Sequence, residues 1–408
     1  MTKFPRSRED AQNMDRTDPL AHLRAAFDLP VGLTYLVGHS LGPAPRSALK
    51  NLQAAAQREW ASGLVGSWNS ADWINLPART GARIAPLIGV APDEVTVCDS
   101  VSINIFKLAG SLIKAGETAP RLIVEKGEFP TDQYIISELS SLQNAELVHA
   151  EHDDGLSVLS AGGVLVKSLV DFRSGKVMDV EAAEQTARDA NGAIVWDLSH
   201  ATGVLDLNLA DWGAKFAVGC TYKYLNGGPG APGFLYVSED RTHALRSLLP
   251  GWLGHARPFA FEDSYEPSNG VTRFISGTPP ILSTASLYGA LDLFDGLQTS
   301  DLEQKANRLG DMCLARFAEL GLVSNSPAIG RPRGGHVSIH HADGYAVSRA
   351  LFERGVHTDF RSPDIIRLGL SPLVLSYEQV WLALEELADI LDSESWKDPR
   401  FQVRQKVT

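Results

Sequence analysis

The sequence of 408 residues contains 44% hydrophobic and 21% charged residues, and its formal net charge is −12. These proportions are typical of a globular protein, and the chain has no apolar run of about 18 residues that would indicate a membrane-spanning helix. The negative charge repels a phosphate backbone, which argues against sequence-independent binding to nucleic acid and favours a small-molecule partner.

Length and cysteine content limit the organisation further. A single hydrophobic core stops growing at roughly 250 to 300 residues, so the length predicts two domains. Cys98, Cys220 and Cys313 are odd in number and form no CxxC pair, which argues against a disulfide framework and a cysteine zinc site. We expect reduced thiols in a cytoplasmic protein, because the first twenty residues also lack the apolar stretch of a secretory signal.

In chain order, short apolar and β-branched runs predict strands at 94–98, 121–125, 163–172, 193–198, 215–220 and 233–237. Helical patterns lie between several of these runs, at 102–116, 131–143 and 179–190. Strands that alternate with helices are typical of βαβ units, so we predict an α/β domain with a mostly parallel central sheet.

Beyond residue 280 a long helical pattern is followed by short strands near 336–341 and 365–370. This part of the chain predicts a smaller C-terminal α+β domain. We therefore expect an N-terminal segment, 1–45, that packs on the small domain, a large domain, 46–290, and a small domain, 291–408.

Ligands of open α/β sheets bind outside the carboxyl ends of the strands. That rule directs attention to residues that end a predicted strand or follow it directly, namely Val101, Ser102, Phe129, Asp132, Ser168, Asp197, His200 and Lys223. The glycine-rich stretch 228–233 precedes a strand instead of joining a strand to a helix, so it is a weak dinucleotide motif. His336, His340 and His341 are interpreted as surface or hydrogen-bonded histidines, and no metal site is predicted.

Asp197 ends one predicted strand, and Lys223 follows the next strand. A site for pyridoxal 5'-phosphate (PLP) needs this pair, because a carboxylate keeps the pyridine nitrogen protonated and a lysine forms the Schiff base. Taken singly, Asp197 could equally be a helix cap and Lys223 a solvated loop cation. Tyr222 and Tyr224 flank the lysine, and nearby glycines allow a tight turn, which favours the functional interpretation.

At this point the sequence resembles a known family. The motifs GHSLG (38–42), EFPTD (128–132), WDLSHATG (196–203), TYKYLNGGPG (221–230), GWLGH (251–255) and FISGTPPIL (274–282) look like kynureninase motifs in the family's order. The resemblance implies a fold-type I PLP enzyme of the aspartate aminotransferase-like type. His39 is a departure, because relatives often carry Asn there; we expect it to alter contacts near Ser40 without affecting the cofactor chemistry.

The resemblance also implies roles around the cofactor. Val101 and Ser102 match phosphate-binding positions, and Phe129 matches an aromatic ring that stacks on the cofactor. Asp132, Ser168 and His200 match residues close to the cofactor, although a helix cap, a buried strand hydroxyl and a structural hydrogen bond are ordinary alternatives for them. Tyr222 matches a tyrosine that reaches the phosphate and supplies a proton during turnover.

Further implied roles concern the substrate and a second subunit. Arg367 matches the arginine that holds the substrate α-carboxylate, with Arg361 as the nearest competitor, and Ser40 is placed near the substrate. Trp252 and Thr278 match positions that the neighbouring subunit contributes, which implies a homodimer with shared active sites. Trp68 and Thr278 resemble the type that prefers L-kynurenine over 3-hydroxykynurenine.

The activity that the resemblance implies is hydrolytic cleavage of L-kynurenine to anthranilate and L-alanine in tryptophan catabolism. Another PLP lyase of the same fold, such as a cysteine desulfurase or a selenocysteine lyase, is the alternative enzyme. Such enzymes need a mobile catalytic cysteine, whereas Cys313 lies in a helical pattern. A binding protein without activity would have no chemical need for Lys223.

Overall fold

The computed structural model describes residues 4–404. Its helices are α1 Arg8–Arg16, α2 Arg46–Ala54, α3 Ser67–Ser70, α4 Leu76–Ile88, α5 Val101–Ala115, α6 Pro130–Gln143, α7 Gly155–Leu159, α8 Val180–Asp189, α9 Glu239–Thr242, α10 Ile281–Ala290, α11 Thr299–Glu319, α12 Gly344–Glu353, α13 Tyr377–Asp392 and α14 Pro399–Gln402. Its strands are β1 Thr34–Tyr35, β2 Val95–Val97, β3 Arg121–Glu125, β4 Glu146–Ala150, β5 Gly163–Ser168, β6 Gly192–Asp197, β7 Phe216–Gly219, β8 Phe234–Val237, β9 His336–His340, β10 Val356–His357, β11 Asp359–Arg361 and β12 Ile365–Gly369.

The central sheet has seven strands in the order β2-β8-β7-β6-β5-β3-β4. Strands β3 to β7 pair in parallel, and β8 is antiparallel to both β7 and β2. Strands β5 and β7 are buried along their whole length, as expected where helices cover both faces of a sheet. The α/β prediction is confirmed, but the sequence analysis did not identify β4, an edge strand whose residues are mostly half-buried or exposed.

The strand directions determine where a ligand could bind. Because β8 reverses between β2 and β7, strand β2 runs in the same direction as β5, β6 and β7. The carboxyl ends of these strands therefore meet at one edge of the sheet, and the connections that leave them begin there. Ser168 and Asp197 are the last residues of β5 and β6, and helix α5 starts soon after β2.

A second, three-stranded sheet has the order β11-β12-β9 and is antiparallel. A separate apolar core lies around it and includes residues of α11, α12 and α13. Near the N-terminus, helix α1 packs against α13, and β1 pairs with β10. Helix α11 contributes to both cores, through Leu302 to the first and Phe317 to the second. The division at 45 and 290 stays a prediction, and its ranges include residues 1–3 and 405–408, which lie outside the described part.

Two further sequence expectations concern cysteines and membranes. Cys98, Cys220 and Cys313 are free and buried, and Cys313 lies inside α11. Within residues 4–404, no helix combines the length and the apolar character that crossing a bilayer requires.

One buried acid on a helix that packs against the sheet gives a testable pH dependence. Glu184 on α8 accepts a hydrogen bond from Trp196 Nε1 at 2.8 Å, and burial raises the pKa of its carboxyl to about 7. The folded state thus binds more protons than the unfolded state between the ordinary glutamate pKa and pH 7, so this residue lowers stability as pH rises through that range. At pH 8 this raised pKa lowers stability by about 3 kcal/mol.

We therefore expect Glu184→Gln to raise the free energy of unfolding at pH 8 by about 2 kcal/mol and to change it little at pH 4.5. Urea unfolding of the variant and the wild type at both pH values measures this difference. An equal effect at the two pH values would contradict a titration at Glu184.

Candidate active site

A cavity opens at the edge of the sheet where the carboxyl ends of the strands meet. Nine of the sequence-predicted residues line it, namely Val101, Ser102, Phe129, Asp132, Ser168, Asp197, His200, Tyr222 and Lys223. They come from the carboxyl ends of five strands or the connections that follow them, so the fold brings together residues that lie more than a hundred positions apart in the sequence. The cavity wall also contains Ser100, Thr131, Phe172, Ser199, Cys220, Ala231 and Gly233.

Lys223 follows β7 in a turn that the N-terminal segment helps to hold. The amide of Gly42 donates to the carbonyl of Tyr222 at 2.8 Å, and the Asn226 side chain donates to the carbonyl of Pro43 at 2.9 Å. A Cβ atom at Gly42 would overlap the Lys223 carbonyl, so glycine is needed for this approach. The Lys223 side chain points to the cavity, where its Nζ lies 2.9 Å from His200 Nε2.

Two buried carboxyl groups share the cavity with this lysine. Asp197 accepts a hydrogen bond from the amide of Ser199 at 2.8 Å, whereas neither oxygen of Asp132 has a hydrogen-bond partner among the described residues. Burial raises the pKa of both carboxyls, and the proximity of Asp197 raises that of Asp132 further. Two buried acids in one cavity favour a cationic donor beside them, and the charge of Lys223 lowers the pKa of both.

The start of α5 also lines the cavity. Ser100 caps this helix by accepting from the amide of Ile103, so the amides of Val101 and Ser102 remain at the helix N-terminus. A helix of 15 residues with free N-terminal amides attracts a phosphate dianion. Gly233 lies against this turn, where a Cβ atom would be 3.2 Å from the Val101 nitrogen.

Aromatic and hydroxyl groups complete the wall. Phe129, at the start of α6, is 42% exposed and meets the ring of Phe172 edge to face at 5.3 Å. Tyr222 lies with its ring centroid 5.9 Å from Lys223 Nζ. Burial raises the pKa of its hydroxyl, and Cys220 and Asp197 raise it further, so the phenol keeps its proton.

Arg367 lies outside this cavity wall, in a buried polar cluster. On β12 it stands directly opposite Asp359 of β11, and its guanidinium pairs with that carboxylate. It also donates to the carbonyl of Phe172 at 2.6 Å and to Ser40 Oγ at 3.3 Å, while its Nε has no partner among the described residues. Arg361 contacts the same carboxylate at 3.1 Å but is 43% exposed at its side chain.

The pKa of Asp359 shows how strongly this cluster is charged. Burial alone would raise the pKa, but His39, Arg367 and Arg361 together hold it well below its ordinary value. The carboxylate therefore stays ionised and neutralises part of the charge of the two arginines. Asp359 was not predicted from the sequence, although its place in a short hairpin opposite Arg367 is a cross-strand pairing of opposite charges.

Three further predicted residues, Trp68, Trp252 and Thr278, do not line the cavity that contains Lys223 of the same chain. Trp68 meets the ring of Trp252 at a centroid distance of 6.3 Å, and Trp252 in turn meets Phe259 at 5.7 Å. Trp252 is 37% exposed, and Thr278 is also exposed. The described chain therefore does not bring Trp68, Trp252 or Thr278 to its own cavity.

Three histidines lie together behind Lys223, and we call them the histidine stack: His39, His200 and His336. His39 and His336 stack with their centroids 5.3 Å apart and their planes at 15°, and His200 lies 5.4 Å from His336. The sequence analysis interpreted His336 as a surface or hydrogen-bonded residue, but it is fully buried and neither ring nitrogen has a partner among the described residues. His340, by contrast, is half-buried and contacts Asp364.

Comparison with known proteins identifies the family. A family model described as "Kynureninase C-terminal domain" matches residues 302–387. The kynureninase of Burkholderia mallei (strain SAVP1) is 40% identical over 415 residues, which cover 99% of this chain and 100% of that protein. The chain belongs to the kynureninase family. The kynureninase of Pseudomonas fluorescens is 39% identical, with 98% of this chain and 100% of that protein covered.

Solved structures show how the kynureninase family fold relates to other enzymes. A mutant of C-DES with glycine covalently linked to its PLP cofactor superimposes with a TM-score of 0.77 at 18% identity, over 90% of this chain and 99% of that chain. The apo cysteine desulfurase from Thermococcus onnurineus NA1 gives a TM-score of 0.73 at 18% identity, over 96% and 99%. The predicted fold-type I PLP fold is confirmed by this similarity.

Proposed function

We propose that this member of the kynureninase family cleaves the Cβ–Cγ bond of L-kynurenine with water to give anthranilate and L-alanine, using PLP bound to Lys223. Full-length relatives named kynureninase support the reaction. The observation that carries the proposal is the convergence of Lys223, Asp197, Asp132 and the α5 N-terminus on one cavity.

The cavity has the groups that PLP needs. The unpartnered oxygens of Asp132 and the raised pKa of Asp197 call for a cationic donor, and a protonated pyridine nitrogen is such a donor. The free amides of Val101 and Ser102 suit a phosphate. Phe129 would lie on the ring face, and Ser168, His200 and Tyr222 would contact the remaining polar atoms. When bound, PLP supplies a ring that withdraws electrons from the substrate carbon atoms.

The chain's own residues then handle protons. Lys223 Nζ is the amine of the cavity wall, and we propose that it removes the proton from the substrate Cα. His200 Nε2 lies 2.9 Å from that amine, and with a neutral ring it would accept a hydrogen bond from the amine and orient it. Asp197 would lie beside the ring nitrogen of the bound cofactor, where its negative charge would stabilise the protonated form of that nitrogen.

Tyr222 is proposed as the acid that completes the reaction. A water molecule attacks the γ-carbonyl, the Cβ–Cγ bond breaks and anthranilate leaves, after which Cβ needs a proton. The hydroxyl of Tyr222 still carries its proton because burial raises its pKa. A phenol held beside Lys223 is therefore a suitable donor to the carbon that becomes the methyl group of alanine.

Arg367 is proposed to hold the substrate α-carboxylate, with Ser40 beside it. Replacing Arg367 by alanine leaves the buried Asp359 carboxylate with only the half-exposed Arg361 as an arginine partner, which is expected to lower stability by about 3 kcal/mol. The KM for L-kynurenine is expected to rise about 100-fold, as for loss of a charge-assisted contact of ~2.7 kcal/mol. Steady-state kinetics and urea unfolding measure the two effects.

The double replacement of Arg367 and Asp359 by alanine separates these effects. It removes both charges, so stability is expected to recover most of the loss while KM stays high. Arg361→Ala is the matched control, because this arginine contacts the same carboxylate from the surface. A larger rise of KM in Arg361→Ala than in the double variant would assign the carboxylate to Arg361 instead.

The same proposal includes a cytoplasmic homodimer with shared active sites, acting in tryptophan catabolism. Trp68, Trp252, Phe259 and Phe261 form a run of ring contacts, and the last two side chains are 61% and 79% exposed. Exposed aromatic clusters of this kind are typical of interfaces. In this arrangement Trp252 and Thr278 would contact the cofactor of the other subunit, and Trp68 with Thr278 would favour L-kynurenine over its 3-hydroxy analogue.

The test is direct. The purified protein is loaded with PLP, L-kynurenine is added, and anthranilate is followed by its fluorescence while L-alanine is measured at the end. Equal amounts of the two products support the proposal. Release of sulfide from cysteine, with no anthranilate from kynurenine, would instead favour a cysteine desulfurase, a reaction for which the buried position of Cys313 in α11 is unsuited.

A further inference from the structure

The three rings of the histidine stack are buried, and most of their nitrogen atoms lack a hydrogen-bond partner among the described residues. His39 and His336 are fully buried, and His200 is 8% exposed. Both ring nitrogens of His39 and of His336, and Nδ1 of His200, have no hydrogen-bond partner among the described residues. Buried imidazole nitrogens without partners from the protein are costly, and their position beside Lys223 suggests a functional role.

The stack joins three segments that are far apart in the sequence. His39 comes from the N-terminal segment, whose Leu36 carbonyl accepts from the amide of Gly369 at 2.7 Å. His336 is paired in register with that same Gly369, on neighbouring strands β9 and β12. A Cβ atom at Gly369 would overlap the His39 ring, so the glycine leaves the space that the ring fills. The local packing therefore holds the two rings in a fixed position.

The charged groups that face the stack keep it neutral. Burial lowers the pKa of all three rings, that of His39 to about 4, and the positive charges of Lys223 and Arg367 lower them further. Asp359 opposes this effect, with Oδ2 at 3.3 Å from His39 Nε2, but Arg367 already pairs with that carboxylate and the pKa of His39 stays lowered. His200 can thus present an unprotonated Nε2 to the Lys223 amine, with the proton on Nδ1.

We propose that the histidine stack is a positioning unit of the active site: the rings of His39 and His336 exclude water and hold His200 as a neutral acceptor for the amine of Lys223. A protonated His200 would repel the lysine ammonium and would have no lone pair left to receive its hydrogen bond. The inference rests on the proposed role of Lys223 in kynurenine cleavage. His39 and His336 act through His200, so they are positioning residues.

Because the nitrogens of His336 have no partners, its ring shape matters more than its polarity. We expect His336→Phe, which keeps a ring, to retain the wild-type dependence of kcat on pH. His336→Ala opens a space for water, so the pKa of His200 is expected to rise toward its ordinary value of about 6.5. The alanine variant should then lose about fourfold in kcat between pH 8 and pH 6 while KM changes little. His340→Ala, on the same strand, is the control and should behave as wild type.

Histidine ¹⁵N NMR of the PLP-loaded protein provides the second readout, with His200 assigned from a His200→Gln sample. In the wild type, His200 should remain neutral with its proton on Nδ1 between about pH 6 and 8, and in His336→Ala it should titrate within that range. This measurement needs no turnover, so it stands even if kynurenine is not the substrate. If His336→Ala does not fold, His39→Ala provides the same test by opening the stack from the other side. The protonation state of His200 in the wild type can be measured without any stack variant.

Three results would overturn the proposal. One is a wild-type stack histidine that protonates near its ordinary pKa. Another is a His336→Ala protein whose pH profile and NMR titration both match the wild type. The third is a His336→Phe protein as impaired as His336→Ala, because that result would show that a ring nitrogen transfers protons.

Discussion

Replacing Lys223 by alanine is expected to lower kcat/KM for L-kynurenine by at least about 10⁴-fold, which corresponds to ~5.4 kcal/mol of lost transition-state stabilisation. The reason is local: among the described residues that line the cavity, Lys223 is the only one with an amine. The variant should also lack the visible absorbance band of lysine-bound PLP, although the phosphate site at α5 should still allow weaker binding of the cofactor.

The control for this variant is Lys215→Ala. Lys215 pairs with Asp240 at the surface, with a side-chain exposure of 41%, and it lies at the start of the strand whose other end leads to Lys223. Its replacement should leave both the absorbance band and turnover unchanged. Turnover by Lys223→Ala within tenfold of the wild type would show that the lysine is not the essential amine.

Asp197→Asn is expected to have the second-largest effect. Asparagine keeps the size of the side chain but cannot hold the negative charge that stabilises a protonated pyridine nitrogen. We expect kcat to fall about 10²- to 10³-fold and the Kd for PLP to rise about tenfold. Titration of the cofactor-free protein with PLP, followed by absorbance, measures the affinity separately from turnover.

Two variants make the Asp197 result specific. Asp240→Asn, at the surface, should leave both quantities unchanged. Asp132→Asn tests the second buried carboxyl. Burial and the nearby Asp197 raise the pKa of Asp132, which favours its neutral form. Its replacement should therefore lower kcat less than the replacement of Asp197 does. If Asp132→Asn is the more damaging change and Asp197→Asn keeps near-normal turnover, then Asp132 is the partner of the ring nitrogen.

The positions that line the cavity could be predicted because they obey a local rule. Asp197 ends a run of apolar residues, and Ser168 lies within another, so the strand ends are visible in the sequence and the carboxyl edge of a parallel sheet collects them. Strand β4 was not predicted, because this edge strand carries polar and half-exposed residues that lack the apolar pattern. The order of the strands in the sheet could not be predicted from the sequence and is known only from the structure.

The buried polar groups behind the cavity could not be predicted in the same way. His39, His336 and Asp359 come from segments about 300 residues apart or in separate strands, and each is locally ordinary. Period-two spacing places His336 and His340 on one face of β9, but it does not show that the first is buried against His39 and the second reaches the surface. Tertiary packing decides these environments, and with them the protonation states.

Reduction of the PLP-loaded protein with borohydride, followed by proteolysis and mass spectrometry, tests the central claim most directly. The account predicts that the added mass of the reduced cofactor is found on the peptide that contains Lys223 and that the Lys223→Ala protein carries no such adduct. An adduct on another buried lysine, such as Lys167 or Lys107, or no adduct after saturation with PLP, would contradict it.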